Sequence, residues 1–537
     1  SGGSTGVLRD EYLESEFEDV LAVIDWCVAQ NWCDGAVGLS GFSWSAFTAL
    51  RVSDRKPAAV KAMVLGGVSE DGWRTDVHYL GGVPYTAQVD WAGVMLMFNA
   101  LPPDPLQFGE GWRAAWKERL AANTPWIEPW LTHMGHDAYW KDKAARLESE
   151  LPLLLYAGLA DKYATSVLRI AEQWRGPVRT IVGPWEHVLP NLAAREPRIG
   201  FLQEALRWWD RWLKGHETGA MDAASLRLWV GAPDTNGNTS DGHWRILGWP
   251  LKETQTMELR GAAEWRPLHG APADAQLNAD LYEDAPGPLA ADVTDIVAES
   301  EAQDQDCDIL AAPTVRCQVD GDAQQIIARL FDVAGDGTSI RMATGALALS
   351  GEGEREIELP LQACAWRLHK GHRVVLTLHS DGWPTFWTSP GTLRIRDVRL
   401  SLPVVPAITK DEARCAPPVT VPSAANEKLK WVDREAEAIV FPARESALVR
   451  KGTSAAQHQV SSGTDILITS RFEVLRDWAA KSYRIAFERP GFSIRIDTRL
   501  EVASNENAWQ ISWWLKASDD GVVVHDHSGN SVIPRVS

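Results

Sequence analysis

Cysteine is scarce in this sequence of 537 residues, and its few copies are scattered. The six cysteines show neither Cys-x-x-Cys pairs nor the spacing of metal ligands, and they stand at positions 27, 33, 307, 317, 364 and 415. Disulfide scaffolds and structural zinc sites need such spacings, so neither is indicated. We therefore expect free thiols, most of them buried.

Long apolar runs and an excess of basic residues are also missing. No run reaches the roughly 20 apolar residues that a transmembrane helix requires, so we expect no membrane partner. The 53 Lys and Arg residues face 72 Asp and Glu residues, which leaves a net charge of −19. Because nucleic acids and anionic membranes attract basic surfaces, this balance argues against both as partners.

The start of the sequence lacks a methionine and a signal peptide. Residues 1–6 (SGGSTG) have the composition of a loop interior that leads into a helix, so we expect that upstream residues are missing. The compartment therefore stays open, and the cytoplasm is the favoured one.

Buried strands and amphipathic helices alternate along the first part of the chain. Helical spacing of apolar residues marks 10–30 and 163–174. Short apolar runs bounded by glycine or proline are typical of parallel strands buried on both faces, and they occur at 60–68, 151–158 and 178–185. This alternation indicates an α/β fold. The tryptophan-rich segment 72–150 interrupts it and predicts a helical insertion that lies over the sheet.

Short alternating strands replace the helices from about residue 245 onward. A β-sandwich is predicted from the strands at 324–333, 372–380 and 392–402. A stretch rich in proline and charge (403–430) follows. Beyond it, residues 492–502 and 508–517 alternate strictly between apolar and polar positions and predict a hairpin.

These changes of character divide a chain that is too long for one core into three parts. Residues 1–245 are predicted to form the α/β domain, with the insertion at 72–150 as a helical cap. Residues 246–405 form the predicted β-domain, and residues 406–537 form an additional β-rich segment.

A candidate nucleophile lies in VGLSGFSWSAF (37–47), although a strict Gly-x-Ser-x-Gly motif is absent. A nucleophile elbow is a sharp turn between a buried strand and a helix, and it needs small residues two positions before and after the nucleophile. Ser40 and Ser45 each have a phenylalanine two residues later. Ser43 has Gly41 and Ser45 at these positions, so we predict Ser43 as the nucleophile.

An activated serine needs a histidine base and a carboxylate that orients the histidine. In this type of fold both partners follow the serine in chain order, each directly after a strand of the sheet. Asp161 follows the run 151–158, and His187 follows the run 178–185. Each alone has a structural interpretation, Asp161 as a helix N-cap and His187 as a loop residue. Their order and their place after two buried strands favour a Ser43-Asp161-His187 triad.

Eight stretches of the sequence carry a resemblance to a known family. They lie at 1–8, 23–47, 75–82, 136–140, 158–169, 182–190, 207–215 and 328–350. They resemble the cocaine-esterase and X-prolyl dipeptidyl-peptidase family of α/β-hydrolases, which also includes α-amino-acid ester hydrolases and glutaryl-cephalosporin acylases. The resemblance implies an α/β-hydrolase domain with an inserted helical cap, followed by a C-terminal jelly-roll β-sandwich. It also places the family's nucleophile on Ser43, its acid on Asp161 and its base on His187.

The sequence departs from the family pattern in two places. The family usually has glycine two residues after the nucleophile, where this chain has Ser45, a residue small enough to keep the turn. The resemblance begins at the loop that the family writes as R-G-x-G-x-S-x-G, so we expect the first strands of the sheet to be missing. In the family a tyrosine from that region supplies one oxyanion-hole donor. The resemblance implies the backbone N–H of Trp44 as the other.

These observations predict a serine hydrolase that cleaves an ester or amide through an acyl-enzyme on Ser43, without a metal or nucleotide cofactor. The expected partner is a small-molecule ester or amide, or a short peptide, and the oligomeric state stays open, a homo-oligomer included. X-Pro dipeptidyl-peptidase activity and hydrolysis of small or amino-acid esters are not distinguished. The peptidase would need a carboxylate for the amino group of its substrate, and Asp76, Asp137 and Glu186 are the candidates.

A different class of function is a degenerate hydrolase that binds a carbohydrate or a protein partner through its jelly-roll domain. The predicted β-domain shows no aromatic platform above the general abundance of tryptophan, and an intact triad argues against degeneracy. We therefore expect the β-domains to serve packing and oligomer contacts.

Overall fold

The structure is a computed structural model of the chain, and it describes residues 6–222, 224–232, 241–252, 254–269, 295–408, 430–440, 448–459 and 464–535. Most of the loop predicted at 1–6, most of the proline-rich stretch 403–430, and Cys415 lie outside these residues. The described cysteines are free, but the expectation that most of them are buried is not met. Cys317 and Cys364 are buried, and the other three are half-buried.

The chain up to Leu247 alternates between helices and strands. In order it contains α1 (Glu14–Val28), β1 (Val37–Phe42), α2 (Trp44–Ser53), β2 (Val60–Gly66), β3 (Tyr79–Leu80), β4 (Val83–Pro84), α3 (Ala87–Asn99), α4 (Pro105–Phe108), α5 (Trp112–Ala122), α6 (Ile127–Thr132), α7 (Ala138–Lys143), β5 (Leu153–Gly158), α8 (Ala164–Gln173), β6 (Val178–Gly183), α9 (Phe201–Trp212), β7 (Leu226–Ala232) and β8 (Asp241–Leu247).

A parallel sheet forms the centre of this part, with the strand order β1-β2-β5-β6-β7, and β8 pairs antiparallel with β7. Alternate residues of a strand point to opposite faces. Met63 and Leu153 therefore pack in one core with α1, α2 and α8, whereas Val64 and Leu154 pack in another with α9. Because helices cover both faces of the sheet, its strands are apolar along most of their length. The strands predicted at 60–68, 151–158 and 178–185 and the helix predicted at 163–174 are confirmed.

The first helix is shorter than its apolar spacing predicts, because α1 begins only at Glu14. Asp10 and Glu11, within the predicted helix, are buried instead in polar contacts. Asp10 Oδ2 lies 2.6 Å from Lys143 Nζ, and Glu11 Oε2 accepts a hydrogen bond of 2.9 Å from the indole of Trp91. These partners come from the cap, so the contacts are long-range and leave no periodic signal.

The helical cap lies between β4 and β5, inside the insertion predicted at 72–150, and consists of α3 to α7. Its tryptophans fill the interior, and the buried ones are Trp112, Trp116, Trp126, Trp130 and Trp140. Among the described helices, none is both long and apolar enough to cross a membrane.

The second part is built of strands. It contains β9 (Gln255–Arg260), β10 (Arg266–Pro267), β11 (Ile296–Glu299), β12 (Cys307–Ala311), β13 (Thr314–Gly321), β14 (Gln325–Val333), β15 (Ser339–Ala348), β16 (Arg355–Pro360), β17 (Cys364–Leu368), β18 (Arg373–His379) and β19 (Leu393–Pro406). The predicted strands at 324–333, 372–380 and 392–402 are confirmed.

Two sheets pack face to face in this jelly-roll domain. One has the order β11-β18-β14-β15, and the other runs β17-β12-β19-β13-β16. The second sheet joins the hydrolase sheet, because β17 pairs with β7 where Trp366 lies opposite Gly231. The hydrogen-bonded sheet thus continues across the predicted boundary at residue 245.

The last part is an antiparallel meander, and we call residues 430–534 the meander. Its strands pair in chain order and are β20 (Lys430–Val440), β21 (Leu448–Gln459), β22 (Asp465–Leu475), β23 (Trp478–Arg489), β24 (Phe492–Ser504), β25 (Ala508–Asp519) and β26 (Val522–Pro534). The predicted hairpin is β24 and β25, with Ser504 opposite Trp509. Apolar residues of the meander share one core with the cap, among them Phe472, Ile494, Ile496, Val502 and Trp509 beside Val89, Ala92 and Leu96 of α3.

Candidate active site

Ser43 occupies a sharp turn between β1 and α2, with a φ of 59° and a ψ of −130°. A positive φ is uncommon for a residue with a side chain, and a nucleophile elbow uses this strained geometry to expose its hydroxyl. The turn needs Gly41, because a Cβ at that position would lie 2.6 Å from the backbone nitrogen of Ala46.

Ser45 stands where the resembled family usually has glycine. Its Oγ donates a hydrogen bond to the carbonyl oxygen of Phe42 and accepts one from the Phe42 N–H, both at 2.9 Å. The Ser45 hydroxyl therefore bridges the N–H and the carbonyl oxygen of Phe42. Serine in place of glycine adds these two hydrogen bonds to the elbow.

Asp161 and His187 lie in the loops after β5 and β6, beside Ser43. His187 Nε2 is 2.9 Å from Ser43 Oγ, and His187 Nδ1 is 2.9 Å from Asp161 Oδ2. The structure thus brings the three residues predicted from the sequence into one hydrogen-bonded chain. The two loops approach closely at Gly158, where a Cβ would lie 1.8 Å from the carbonyl oxygen of Trp185.

The surroundings of His187 make it a stronger base. Burial by itself lowers the pKa of His187, but the nearby Asp161 and the more distant Asp76 outweigh it, so the pKa is raised above its ordinary value. Asp161 is almost completely enclosed, with 2% of its side chain exposed. A carboxylate held this way orients the imidazole and stabilises its charged form when it accepts a proton.

Trp44 directly follows Ser43, and its ring is anchored by a hydrogen bond. It is the first residue of α2, and the first N–H groups of a helix have no acceptor within the helix. Its indole Nε1 donates a hydrogen bond of 2.7 Å to Glu16 Oε2. Burial raises the pKa of Glu16 to about 7, although hydrogen bonds from Leu13 and Trp44 oppose the rise.

A cavity of about 350 Å³ opens beside Ser43. Its volume falls in the range of small-molecule sites, about 300–1,000 Å³. The hydrolase domain, the cap and the meander all contribute to the lining, which comprises Tyr12, Ser43, Trp44, Val77, Asp90, Trp91, Val94, Asp161, Lys162, Tyr163, His187 and Tyr483.

The three carboxylates considered for a substrate amino group are not part of this described lining. Asp76 is fully buried against His78, Asp137 caps α7, and Glu186 accepts hydrogen bonds from backbone N–H groups of its own loop. Asp90, which sequence reasoning missed, lines the cavity instead. The sequence feature that could have identified Asp90 is a carboxylate within a largely apolar helical segment, AQVDWAGVMLM.

A buried cluster of Glu11, Asp76 and His78 has residue types that metals bind. It adjoins the cavity, because Asp76 accepts hydrogen bonds from the hydroxyls of Tyr12 and Tyr163 in the lining. His78 Nδ1 is 2.9 Å from Asp76 Oδ2, and His78 Nε2 is 2.6 Å from Glu11 Oε1. Each nitrogen of the ring thus faces its own carboxylate at hydrogen-bond distance. The arrangement is that of an imidazolium between two anions, and it leaves the three side chains paired with one another.

Two sequence models of known families match the chain. The family described as X-Pro dipeptidyl-peptidase (S15 family) matches residues 1–189, and the X-Pro dipeptidyl-peptidase C-terminal non-catalytic domain matches residues 236–414. The first range contains Ser43, Asp161 and His187, and the meander lies outside both ranges.

Individual relatives agree with these matches. The chain is 26% identical to the cocaine esterase of Rhodococcus sp. (strain MB1 Bresler) over 278 residues, or 45% of this chain and 46% of the esterase. The alignment thus spans about half the length of that curated relative.

Three solved structures illustrate the similarity of fold. A CocE/NonD family hydrolase from Staphylococcus aureus has a TM-score of 0.57 at 17% identity, covering 75% of this chain and 78% of its own. An α-amino acid ester hydrolase scores 0.55 at 17% identity, with 73% and 80% covered. An aminopeptidase from a marine sediment Thaumarchaeota archaeon scores 0.52 at 16% identity, with 73% and 80% covered. These similarities show the fold alone. The family rests on the two sequence models and the esterase relative: over residues 1–189 and 236–414, the chain belongs to the cocaine-esterase and X-prolyl dipeptidyl-peptidase family of α/β-hydrolases.

Proposed function

We propose that this protein is a serine hydrolase that cleaves an ester or amide bond through an acyl-enzyme on Ser43. One observation carries the proposal: two hydrogen bonds of 2.9 Å link Ser43 Oγ through His187 to Asp161, in the wall of a cavity of small-molecule size. The membership in a hydrolase family supports the same reaction class.

In the proposed reaction, Ser43 Oγ attacks the carbonyl carbon of the substrate while His187 Nε2 takes the hydroxyl proton. Asp161 stabilises the imidazolium that forms. His187 then gives the proton to the leaving alcohol or amine, and the acyl group stays on Ser43. A water molecule, deprotonated by His187, attacks the acyl-enzyme and releases the acid.

The negative oxygen that forms during each attack needs hydrogen-bond donors. We assign one donor to the backbone N–H of Trp44, because it follows the nucleophile and begins α2, where the helix dipole is positive. One such donor contributes about 10²–10³ in rate in other enzymes.

A fluorophosphonate tests the proposal, because it reacts with serine hydroxyls that a base has activated. We expect one adduct in the intact mass, mapped to the peptide that contains Ser43 and absent from Ser43→Ala. Ser40→Ala is the matched control, since Ser40 is an exposed serine on β1 of the same segment, and it should be labelled as the unaltered chain is. An adduct that persists in Ser43→Ala, or no adduct at all, would refute the assignment.

The binding alternative is not favoured, since the family matches point to hydrolases. The choice between ester and X-Pro peptide substrates depends on the charge of the cavity.

A further inference from the structure

The meander reaches the active-site cavity, although it lies outside both family matches. Tyr483 of β23 lines the cavity together with Ser43 and His187. Burial and the nearby Asp90 raise the pKa of Tyr483, so the residue presents a neutral phenol to the cavity. A segment outside both matched ranges therefore supplies part of the wall that a substrate would meet.

Helix α3 connects the cavity to the meander. Asp90, Trp91 and Val94 of this helix line the cavity. On the side of β23, Gly93 lets the backbones approach, because a Cβ at position 93 would lie 2.6 Å from Cγ of Lys481. The strand is thus seated directly against the helix that forms the cap side of the cavity.

An ion pair fixes this contact. Lys481 Nζ lies 2.6 Å from Asp90 Oδ1, and only 9% and 11% of the two side chains are exposed. The Lys481 ammonium also lies 4.8 Å from the centre of the Tyr483 ring, within the distance of a cation–π interaction. In the cavity lining, the negative charge of Asp90 is therefore balanced by the positive charge of Lys481 from the meander.

The ion pair between Lys481 and Asp90 matters because a substrate with a free amino group needs a carboxylate partner. The carboxylates in the described lining are Asp90 and Asp161. Asp161 holds His187, and Asp90 is paired with Lys481. The lining also includes the cation Lys162. An ammonium group next to the reacting carbonyl would have to compete with Lys481 for Asp90.

We propose that Lys481 and Tyr483 are specificity-determining residues, which make the site select uncharged acyl groups and disfavour acyl groups that carry an ammonium. The inference rests on the proposed serine hydrolase function and narrows its substrates to neutral esters or amides. Tyr483 forms the wall against the acyl group, and Lys481 occupies the carboxylate that an amino-acid or X-Pro substrate would need.

The test compares two esters of nearly equal shape, p-nitrophenyl pentanoate and p-nitrophenyl 2-aminopentanoate. We expect the unaltered protein to prefer the pentanoate in kcat/KM. Lys481→Met keeps the length of the side chain but removes the ammonium that pairs with Asp90. A charge-assisted hydrogen bond from the substrate to Asp90 should then shift the ratio about tenfold to a hundredfold toward the amino ester. The shift should vanish in the double variant Asp90→Asn/Lys481→Met, because the carboxylate is then gone.

Lys516→Met is the matched control, because Lys516 pairs with Asp526 on the same sheet but is 47% exposed. Its ratio should equal that of the unaltered protein. If Lys481→Met does not fold, Asp90→Asn alone gives the answer: it leaves Lys481 without this partner and should lower kcat/KM for the amino ester further. Tyr483→Ala should raise kcat/KM for esters with longer acyl chains relative to esters with short ones. Tyr483→Phe keeps the aromatic ring that forms the wall, so it should leave this ratio unchanged.

Fluorophosphonate labelling separates the two possible failures. If Ser43 is labelled and the esters are hydrolysed, but the ratio is the same in Lys481→Met and Lys516→Met, the specificity inference is wrong and the hydrolase proposal stands. If Ser43 is not labelled and neither ester is hydrolysed, the hydrolase proposal is wrong, and the inference falls with it.

Discussion

The buried His78 gives this protein a dependence on alkaline pH that can be measured. Its two nitrogens lie 2.9 Å and 2.6 Å from carboxylate oxygens of Asp76 and Glu11, and all three side chains are 0% exposed. Burial alone lowers the pKa of His78, but the two carboxylates outweigh burial and raise it from 6.5 to about 10. His78 is therefore a cation at neutral pH.

The sign and size of the effect follow from linkage between protonation and folding. A group whose pKa is raised by folding stabilises the protein fully below its unfolded pKa. The contribution of His78 is thus complete below pH 6.5 and is lost as the pH rises through about 10. At about 1.4 kcal/mol per pKa unit, the difference between the two values corresponds to about 5 kcal/mol.

The assay is the midpoint of thermal unfolding for the unaltered protein and for His78→Asn, measured from about pH 6 to pH 11. At the acid end we expect His78→Asn to melt about 10 °C or more below the unaltered protein. The gap should close as the pH passes through the pKa of His78. His216→Asn, a change at an exposed histidine after α9, should leave the midpoint unchanged throughout. A gap that is already absent at neutral pH, or that stays constant to the alkaline end, would refute the reasoning.

Three further predictions concern the elbow and the base. The kcat/KM for a neutral ester should fall on the acid side with a midpoint above 6.5, because Asp161 raises the pKa of His187 and the base must be neutral; a lower midpoint would contradict this. Gly41→Ala should abolish fluorophosphonate labelling of Ser43, since its Cβ would collide with the backbone at 2.6 Å, and labelling at the normal rate would mean that the turn tolerates a side chain. Ser45→Ala should lower the free energy of unfolding of the hydrolase domain by about 1 kcal/mol, because two hydrogen bonds to Phe42 are lost. Urea unfolding measures this change, and an unchanged midpoint would show that the hydroxyl is dispensable.

Short-range sterics made the elbow predictable from sequence. Ser43 could be chosen because the turn constrains residues only two positions away, and Gly41 meets Ala46 just as that argument requires. The role of Ser45 could be predicted only in part. Its small size can be read from the sequence, but the two hydrogen bonds to Phe42 depend on the turn already being formed.

Contacts between residues far apart in the chain could not be predicted from the sequence. Outside the predicted hairpin, residues 406–537 were predicted only as a β-rich segment, and such a prediction does not tell which helix a strand such as β23 faces. Lys481 therefore gave no sign that it would meet Asp90 of the cap. The same limit explains why Asp76, Asp137 and Glu186 were named from the sequence as candidates for a substrate amino group, whereas Asp90 of α3 lines the cavity.

The core shared by the cap and the meander has a consequence for how the chain is made. Trp509 follows Met134, the sulfur acceptor of its indole N–H, by 375 residues. A ribosome that adds about 5–20 residues per second needs roughly 20–75 s to cover that distance. During this time the apolar side of α3 has no meander to cover it, while the hydrolase sheet receives its neighbouring strands almost in order of synthesis. A nascent chain that stalls before residue 464 would present the cap to chaperones and to other unfinished chains.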